Sequence, residues 1–455
     1  MISVLEPEKG LQKSLAKNIN DCLVSNSQSN LPENIFYQLM QVRADFAFVL
    51  LQRLIEVKST EPEVKALLSI TWNTVRTSGT TLELAMAGND PDYHRSLLKV
   101  LFLALQFHLS TSLSPSSTSE KSPSDSPTST SSKSQASLET TRIVLEIITI
   151  LVVPGFRSLT TQLHDNSQRS SSSTADFALI TAILQTALRV PGIHRLHSKI
   201  VTHLAENQTA RYATTLFSWS DQLTIDGDPI YGELSILFLL ELSSIASLAE
   251  YLATEGILSH LSNANIMNYF RHPNGSGPFD EPTRLYGIWS RGLLPLCLNL
   301  VNAIGAQMAA EIVAFLNQFP NQLARAANSF DSKPPSAPAD PTANYVTLAM
   351  ASEVHSLALI SFILDNYRAA GASAGIVASE IAELQWDKAQ IKEDLEGWLQ
   401  GRGALRERLV PMNEREGEWV RQKPVKSTSD AENRLEEKVL EEMNSALVCL
   451  GGGSA

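Results

Sequence analysis

The chain has 455 residues, enough for two to four ordinary domains or one elongated helical array. Apolar residues make up 43% and charged residues 18%, the balance of a packed globular protein and not of a disordered polyelectrolyte. With 36 Lys+Arg against 48 Asp+Glu the net charge is -12, which argues against a phosphate-neutralising surface, so no direct nucleic-acid contact is expected.

The first elements begin after an N-terminus, MISVLEPEKG, whose acidic and polar residues give no secretory signal. In Ile35 to Val57 the apolar set Ile35, Phe36, Leu39, Val42, Phe46, Val49, Leu50, Leu54 and Val57 recurs at three- and four-residue steps, which puts it on one face of a long helix. The same period returns in Leu97 to Leu109, Ile143 to Val153, Phe177 to Val190, Gly232 to Leu252, Leu285 to Ile304, Ala306 to Phe319 and Val346 to Tyr367. Pro32, Pro62, Pro91, Pro154, Pro191, Pro229, Pro282, Pro320 and Pro411 stand at the edges of these segments, where a ring without an N–H starts or stops a helix. Alternating strand-like runs are missing, and Asp226-Gly227 reads as a cap and turn between helices. The expectation is an all-α chain of about 16 to 18 helices of roughly 15 to 25 residues, arranged as a bundle or, with modest preference, as a degenerate HEAT/armadillo-like stack.

Composition divides the chain. Half of the 28 residues from Ser110 to Ser137 are serine, so this stretch is expected to be a disordered loop. Within it Ser114, Ser122 and Ser126 each precede proline, the pattern that proline-directed kinases read. A second, Pro-rich loop occupies residues 331–341. The expected organisation is helical repeats over 1–109, the Ser-rich loop over 110–137, central repeats over 138–330, the Pro-rich loop, and a charge-rich helical end over 342–455, with the loops as insertions into one stack. Between Glu380 and Glu442 lie 16 acidic and 11 basic residues, so these helices need wide solvated faces. The last segment carries Leu435, Val439, Met443 and Leu447 on one stripe. That stripe is expected to cap the last core layer or, half as readily, to meet a partner helix.

Chemical constellations are weak. Gly371 to Gly375 matches G-x-S-x-G with Ser373 as nucleophile, but all nine histidines precede Ser373 and the preceding segment has a helical period, so a break between helices is expected. His194, His197 and His203 with Glu206 cannot converge from one helix, because nine residues separate the first His from the third. The paired carboxylates Glu414, Glu416 and Glu418, and Glu436 with Glu437, are read as solvated faces. Cys22, Cys297 and Cys449 are scattered without a CxxC pair and fit a reducing compartment. No catalytic residue, cofactor or metal is expected. The apolar runs Ile143 to Val153, Leu234 to Leu240 and Leu293 to Val301 fall short of the roughly 18 residues a bilayer span needs, so no membrane span is expected either.

Three stretches, LAEYLATEGILSHLSNANIMNYFR (Leu248 to Arg271), RLYGIWSRGLLPLCLNLVNAIGAQMAAEIVAFLNQFPNQL (Arg284 to Leu323) and NYVTLAMASEVHSLALISFIL (Asn344 to Leu364), together resemble the C-terminal region of the nucleoporin 188 family. These are large inner-ring scaffold proteins of the nuclear pore complex, seen here in a fungal-like version. The resemblance implies a right-handed α-solenoid of HEAT/armadillo-like units without enzymatic activity, located at the nuclear envelope. It implies binding to helical segments of linker nucleoporins of the coiled-coil nucleoporin 93 type, other inner-ring nucleoporins as neighbours, and weak FG-repeat contact. It also implies correspondence to the C-terminal part of longer family members. The alternative, left open by the residues themselves, is a karyopherin-like or trafficking adaptor solenoid that carries soluble cargo.

Overall fold

A computed structural model describes residues 2–24, 32–56, 66–77, 91–113, 129–165, 171–271, 277–331, 345–370, 381–425 and 431–451. Among them no strand occurs, only two isolated bridges, Ile225 with Asp228 and Val346 with Leu409. The chain divides into two compact units, Met1–Tyr212 and Ala213–Ala455, a division that falls inside the stretch expected to hold the central repeats.

The first unit contains α1 (Ile2–Leu23), α2 (Glu33–Glu56), α3 (Leu67–Thr77), α4 (Pro91–Leu113), α5 (Ser129–Glu146), α6 (Val153–Asp165), α7 (Ser171–Leu188), α8 (His197–Glu206) and the start of α9 (Thr209–Trp219). Helix α2 packs against α1 and α4, and α4 against α3 and α7. Between the apolar layers, polar side chains fix the pairings. Arg95 on α4 forks onto Asp176 of α7 at 2.7 and 2.9 Å, Trp72 on α3 donates its indole N–H to Glu146 of α5 at 2.9 Å, and Ser96 donates to Asp45 of α2 at 2.6 Å. A bidentate guanidinium–carboxylate pair has one orientation only, so it sets how α4 and α7 meet as well as adding stability.

The second unit continues with α10 (Ile230–Ser243), α11 (Ala246–Thr254), α12 (Ile257–Ser262), α13 (Met267–Phe270), α14 (Thr283–Gly287), α15 (Leu294–Ile304), α16 (Ala309–Leu316), α17 (Pro320–Ala327), α18 (Leu348–Ala370), α19 (Lys388–Gln400), α20 (Arg402–Arg408), α21 (Glu414–Arg421) and α22 (Arg434–Cys449). Helix α15 lies against α10, α11 and α18, and α18 in turn carries α22. Trp289, Phe315 and Phe319 are buried together with Phe270, with ring centroids 4.8 to 5.6 Å apart. Gly292 lets the chain approach α10 closely: a Cβ there would sit 2.6 Å from the Ile236 side chain.

The helices are more numerous and often shorter than the sequence period implies, 22 α-helices among the described residues. Pro154, read as a helix edge, is instead crossed by continuous helix, as is Pro295. Between α5 and α6 the chain widens into a π turn at Ile147–Val152, and between α14 and α15 into another at Ile288–Leu293. In each, the N–H just before the proline bonds five residues back, Val153 to Ile148 and Leu294 to Trp289. The looser turn accommodates Pro154 and Pro295, whose rings lack an N–H and would clash in an ordinary turn. The joined helices Leu138–His164 and Thr283–Leu316 are thereby long and apolar enough by length and composition to cross a membrane, as is the uninterrupted α18, so the apolar helices are longer than the interrupted runs implied. In this fold 61%, 44% and 50% of their most apolar windows is buried within the protein.

Both ends of the stretch expected as a Ser-rich loop are helical, since α4 runs to Leu113 and α5 begins at Ser129. Extending an established helix costs far less than nucleating one, so flanking helices carry over into serine-rich sequence. Ser114, Ser122, Ser126, Ser373 and the Pro-rich residues 332–341 lie outside the described residues.

Candidate partner-binding cleft

The C-terminal stripe faces inward. Leu435, Val439, Met443 and Leu447 are at most 2% exposed, on the side of α22 that packs on α18, with α19 and α21 alongside. Burying one side chain of this size contributes about 1.5–3 kcal/mol, so the stripe is a substantial part of the hold on α22. The carboxylates expected to be solvated need correcting: Glu416, Glu436 and Glu437 are buried. The cause is helix capping. Asn433 accepts the N–H of Glu436 at 2.9 Å, and the Glu436 carboxylate turns back to accept from the backbone of Glu432 at 2.7 Å and from Arg406 at 2.8 Å. Glu437 accepts from the Val425 N–H at 2.9 Å. The same Asn-x-x-Glu box opens α21, where Asn413 accepts from the Glu416 N–H at 2.9 Å and Glu416 accepts from the Met412 N–H at 2.8 Å. These boxes satisfy orphan amide donors and place negative charge at the positive end of the helix dipole. The spacing N413…E416 and N433…E436 was the signal in the sequence.

One other carboxylate sits deeper. Glu353, fully buried on α18, accepts from Trp289 at 2.6 Å and Tyr286 at 2.9 Å and pairs with Arg325, whose guanidinium lies 4.9 Å from the Tyr286 ring centre. Burial first, and the Glu353 charge second, push the Tyr286 hydroxyl well above its ordinary range, so it stays a donor. An ion pair at this depth tolerates no loss of a partner, because the survivor is left charged in an apolar surrounding. A lone glutamate within the apolar run VHSLALISFIL and its upstream residues was the only trace of this cluster in the sequence.

Above this cluster opens a cleft of about 490 Å³, lined from α14 and the π turn (Arg284, Ser290, Arg291), from α18 (Leu348, Ser352), and from the start of α21 (Met412, Asn413). The Asp226-Gly227 turn, with φ of 52° and 86° at its two residues, delivers Asp228 to the rim. Positive φ at both positions is the geometry of a tight two-residue reversal, which Asp-Gly accommodates readily. On the rim Arg284 pairs with Asp228 at 3.3 Å and with Glu233, and Arg291 reaches Glu233 at 3.0 Å. One Asp228 oxygen is buried without a hydrogen-bond partner among the described residues. Apolar walls of Leu348, Met412 and Pro278 beneath a charged rim suit side chains of a docked helix. A smaller groove of about 360 Å³ lies between α12 and α16, where burial raises the Glu311 carboxyl above its usual value.

The histidines are spread over two elements, His194 in the 3₁₀ turn Ile193–Leu196 and His197 and His203 on α8, with His203 3.7 Å from Glu206. Burial and then His194 lower the pKa of His197. Among the described residues no group of three or more His, Cys, Asp or Glu side chains is placed to hold a metal ion.

The comparisons with known proteins now bear on this arrangement. A family profile described as "Nuclear pore protein NUP188 C-terminal domain" matches residues 67–450. The chain is 35% identical to Nucleoporin NUP188 of Chaetomium thermophilum over 96% of its length, and 23% identical to Nucleoporin nup184 of Schizosaccharomyces pombe over 65%. It spans 24% and 17% of the lengths of those relatives. The solved structure of Nup188(aa1445-1827) from Myceliophthora thermophila superposes with a TM-score of 0.67 at 35% identity, covering 86% of this chain and 100% of that fragment. A helical solenoid fold, a profile match over most of the sequence and a relative at this identity lead to one conclusion: the chain belongs to the nuclear pore protein NUP188 family, through that family's C-terminal domain.

Proposed function

We propose that this chain is a non-enzymatic scaffold segment of the nuclear pore complex inner ring at the nuclear envelope, and that it holds a helical segment of a linker nucleoporin of the nucleoporin 93 type. Family membership supports the scaffold role over the adaptor reading. The observation that carries the binding step is the cleft over Tyr286 and Glu353, with apolar walls of Leu348, Met412 and Pro278 beneath a rim charged by Asp228, Glu233, Arg284 and Arg291. In this reading the stripe Leu435, Val439, Met443 and Leu447 is the internal cap that closes the stack, and the cleft, not the stripe, receives the partner. Other inner-ring nucleoporins are its neighbours, FG-repeat contact is weak, and the scaffold supports protein and mRNA transport through the pore. Phosphorylation at Ser114, Ser122 and Ser126 would add negative charge to an acidic chain and loosen nearby acidic contacts.

The test is titration calorimetry of the full chain with the helical linker segment of a fungal nucleoporin 93-type protein. Ser352→Arg and Met412→Arg both sit at exposed cleft positions. Each is expected to weaken binding about tenfold or more with circular dichroism unchanged. Undiminished binding by both variants would overturn the cleft as the site.

A further inference from the structure

The rim of the cleft is unevenly neutralised. Glu233 on α10, 13% exposed, accepts from Arg284 of α14 with one carboxylate oxygen and from Arg291 of the π turn with the other, the latter at 3.0 Å. Arg284 has a second carboxylate, Asp228, at 3.3 Å. Among the described residues Arg291 has its share of Glu233 alone, and it is the most exposed of the four, at 67% against 36% for Arg284 and 34% for Asp228. Glu416, the remaining acid of the lining, is buried and holds the Met412 N–H in its helix cap. The outermost charge of the cleft is therefore a cation, on a chain whose net charge is -12.

Gly287 gives this cation its place. A Cβ there would lie 2.7 Å from the Arg291 guanidinium and 3.2 Å from the Glu233 carboxylate, so the missing side chain leaves the space across which Arg291 reaches α10. A methyl group at Gly287 would displace the end of a flexible side chain and leave the backbone where it is.

We propose that Arg291 selects the occupant of the cleft: an amphipathic helix that carries an aspartate or glutamate on the flank of its apolar stripe, its carboxylate meeting Arg291 while the apolar side chains lie against Leu348 and Met412. The inference rests on the reading of the cleft as a partner-helix site and names the chemistry of that partner. Charge complementarity selects it. A lysine or arginine on the helix would meet Arg291 first and be repelled, because Glu233 is already shared by two guanidiniums. A neutral helix would take a half-paired cation out of water, which is costly. A carboxylate completes the pairing, since the guanidinium has donors beyond the one that Glu233 takes.

The experiment is calorimetric titration of the full chain with the helical linker segment of a fungal nucleoporin 93-type protein, at low and at high salt. Arg291→Glu is expected to weaken binding about tenfold or more at low salt and by less at high salt. A segment in which one acidic residue is replaced by lysine should bind the parent weakly and recover most of the loss on the Arg291→Glu chain. Gly287→Ala should weaken binding severalfold in the parent and add nothing in Arg291→Gln, a non-additivity that a merely structural effect of the methyl group would not produce. Arg291→Gln also serves as the milder variant if the glutamate disturbs folding beside Glu233. Binding by Arg291→Glu as tight as the parent's or tighter, while Ser352→Arg and Met412→Arg still weaken it, would leave the cleft standing and overturn the acidic partner. A loss that no lysine-bearing segment recovers overturns it as well. Undiminished binding by Ser352→Arg and Met412→Arg removes the cleft itself, and this inference with it.

Discussion

Helices α2 and α22 carry the same kind of pattern and meet opposite fates. Each has a stripe of large apolar residues along one helical face, at steps of four on α22 and of four and three on α2. On α22 the stripe is buried against α18, and on α2 the comparable stripe faces outward while a second face, Met40, Ala44, Ala47, Leu51 and Leu54, is the one buried. Periodicity reports that a face is apolar and says nothing of what lies opposite it. The small side chains Ala44 and Ala47 matter because they let neighbouring helices approach closely, a contribution that a count of large residues overlooks.

The sharpest way to break the comparison is to place charge in both stripes. Val439→Asp with Met443→Asp puts two unpaired carboxylates into a dry interface and should cost more than about 4 kcal/mol, detaching α22. Val42→Asp with Phe46→Asp in the same 455-residue chain should stay within about 0.5 kcal/mol per site of the parent, since both side chains are half exposed. Urea denaturation of the two double variants checks this. Equal losses would show that α2 is covered as fully as α22.

A somewhat smaller effect separates apolar from polar burial on α18. Glu353→Ala strands Arg325 and removes the acceptor of Tyr286 and Trp289, and is expected to cost about 3–5 kcal/mol, visible as a lowered urea midpoint with the slope preserved. A midpoint within experimental error of the parent would mean that the cluster is adequately solvated.

The smallest effect concerns the covered side of the α2–α4 contact. Tyr93, at the start of α4 and 6.1 Å from the Tyr37 ring on α2, has its hydroxyl pushed up to about 12 by burial, opposed in part by Arg43. The unfolded chain ionises this group near 10 while the folded chain holds the proton. Its contribution is thus intact below pH 10 and is lost as pH rises toward about 12, by about 2 kcal/mol across that window. Tyr93→Phe should flatten this part of a stability-versus-pH curve; an unchanged slope would show the ring is wetted.

The region around the cleft shows why the site was harder to read than the fold. The helix-packing stretches Leu248 to Arg271, Arg284 to Leu323 and Asn344 to Leu364 were recognisable from the order of their residues, and they hold much of the second unit's core. Yet Asp228, Arg284, Ser352 and Met412 come from four separate stretches and share no local pattern. The stripe at Leu435 to Leu447 was legible because one helix carries all of it.

What the sequence determined by itself was local: an all-α chain, turns at Asp226-Gly227, a charge-rich end, and the family. Helical period depends on residues three and four apart, so it survives without knowledge of neighbours. Tertiary structure alone decided which side of α2 is covered. It likewise took Glu353 out of solvent and set Arg406 against Glu436 and the Val425 N–H against Glu437. The physical reason is common to these cases: a side chain's environment is set by contacts from distant parts of the chain. A carboxylate becomes a buried group when those parts supply Arg325 or Arg406 beside whatever its own helix cap provides, and an apolar stripe becomes core only when a second helix lies against it.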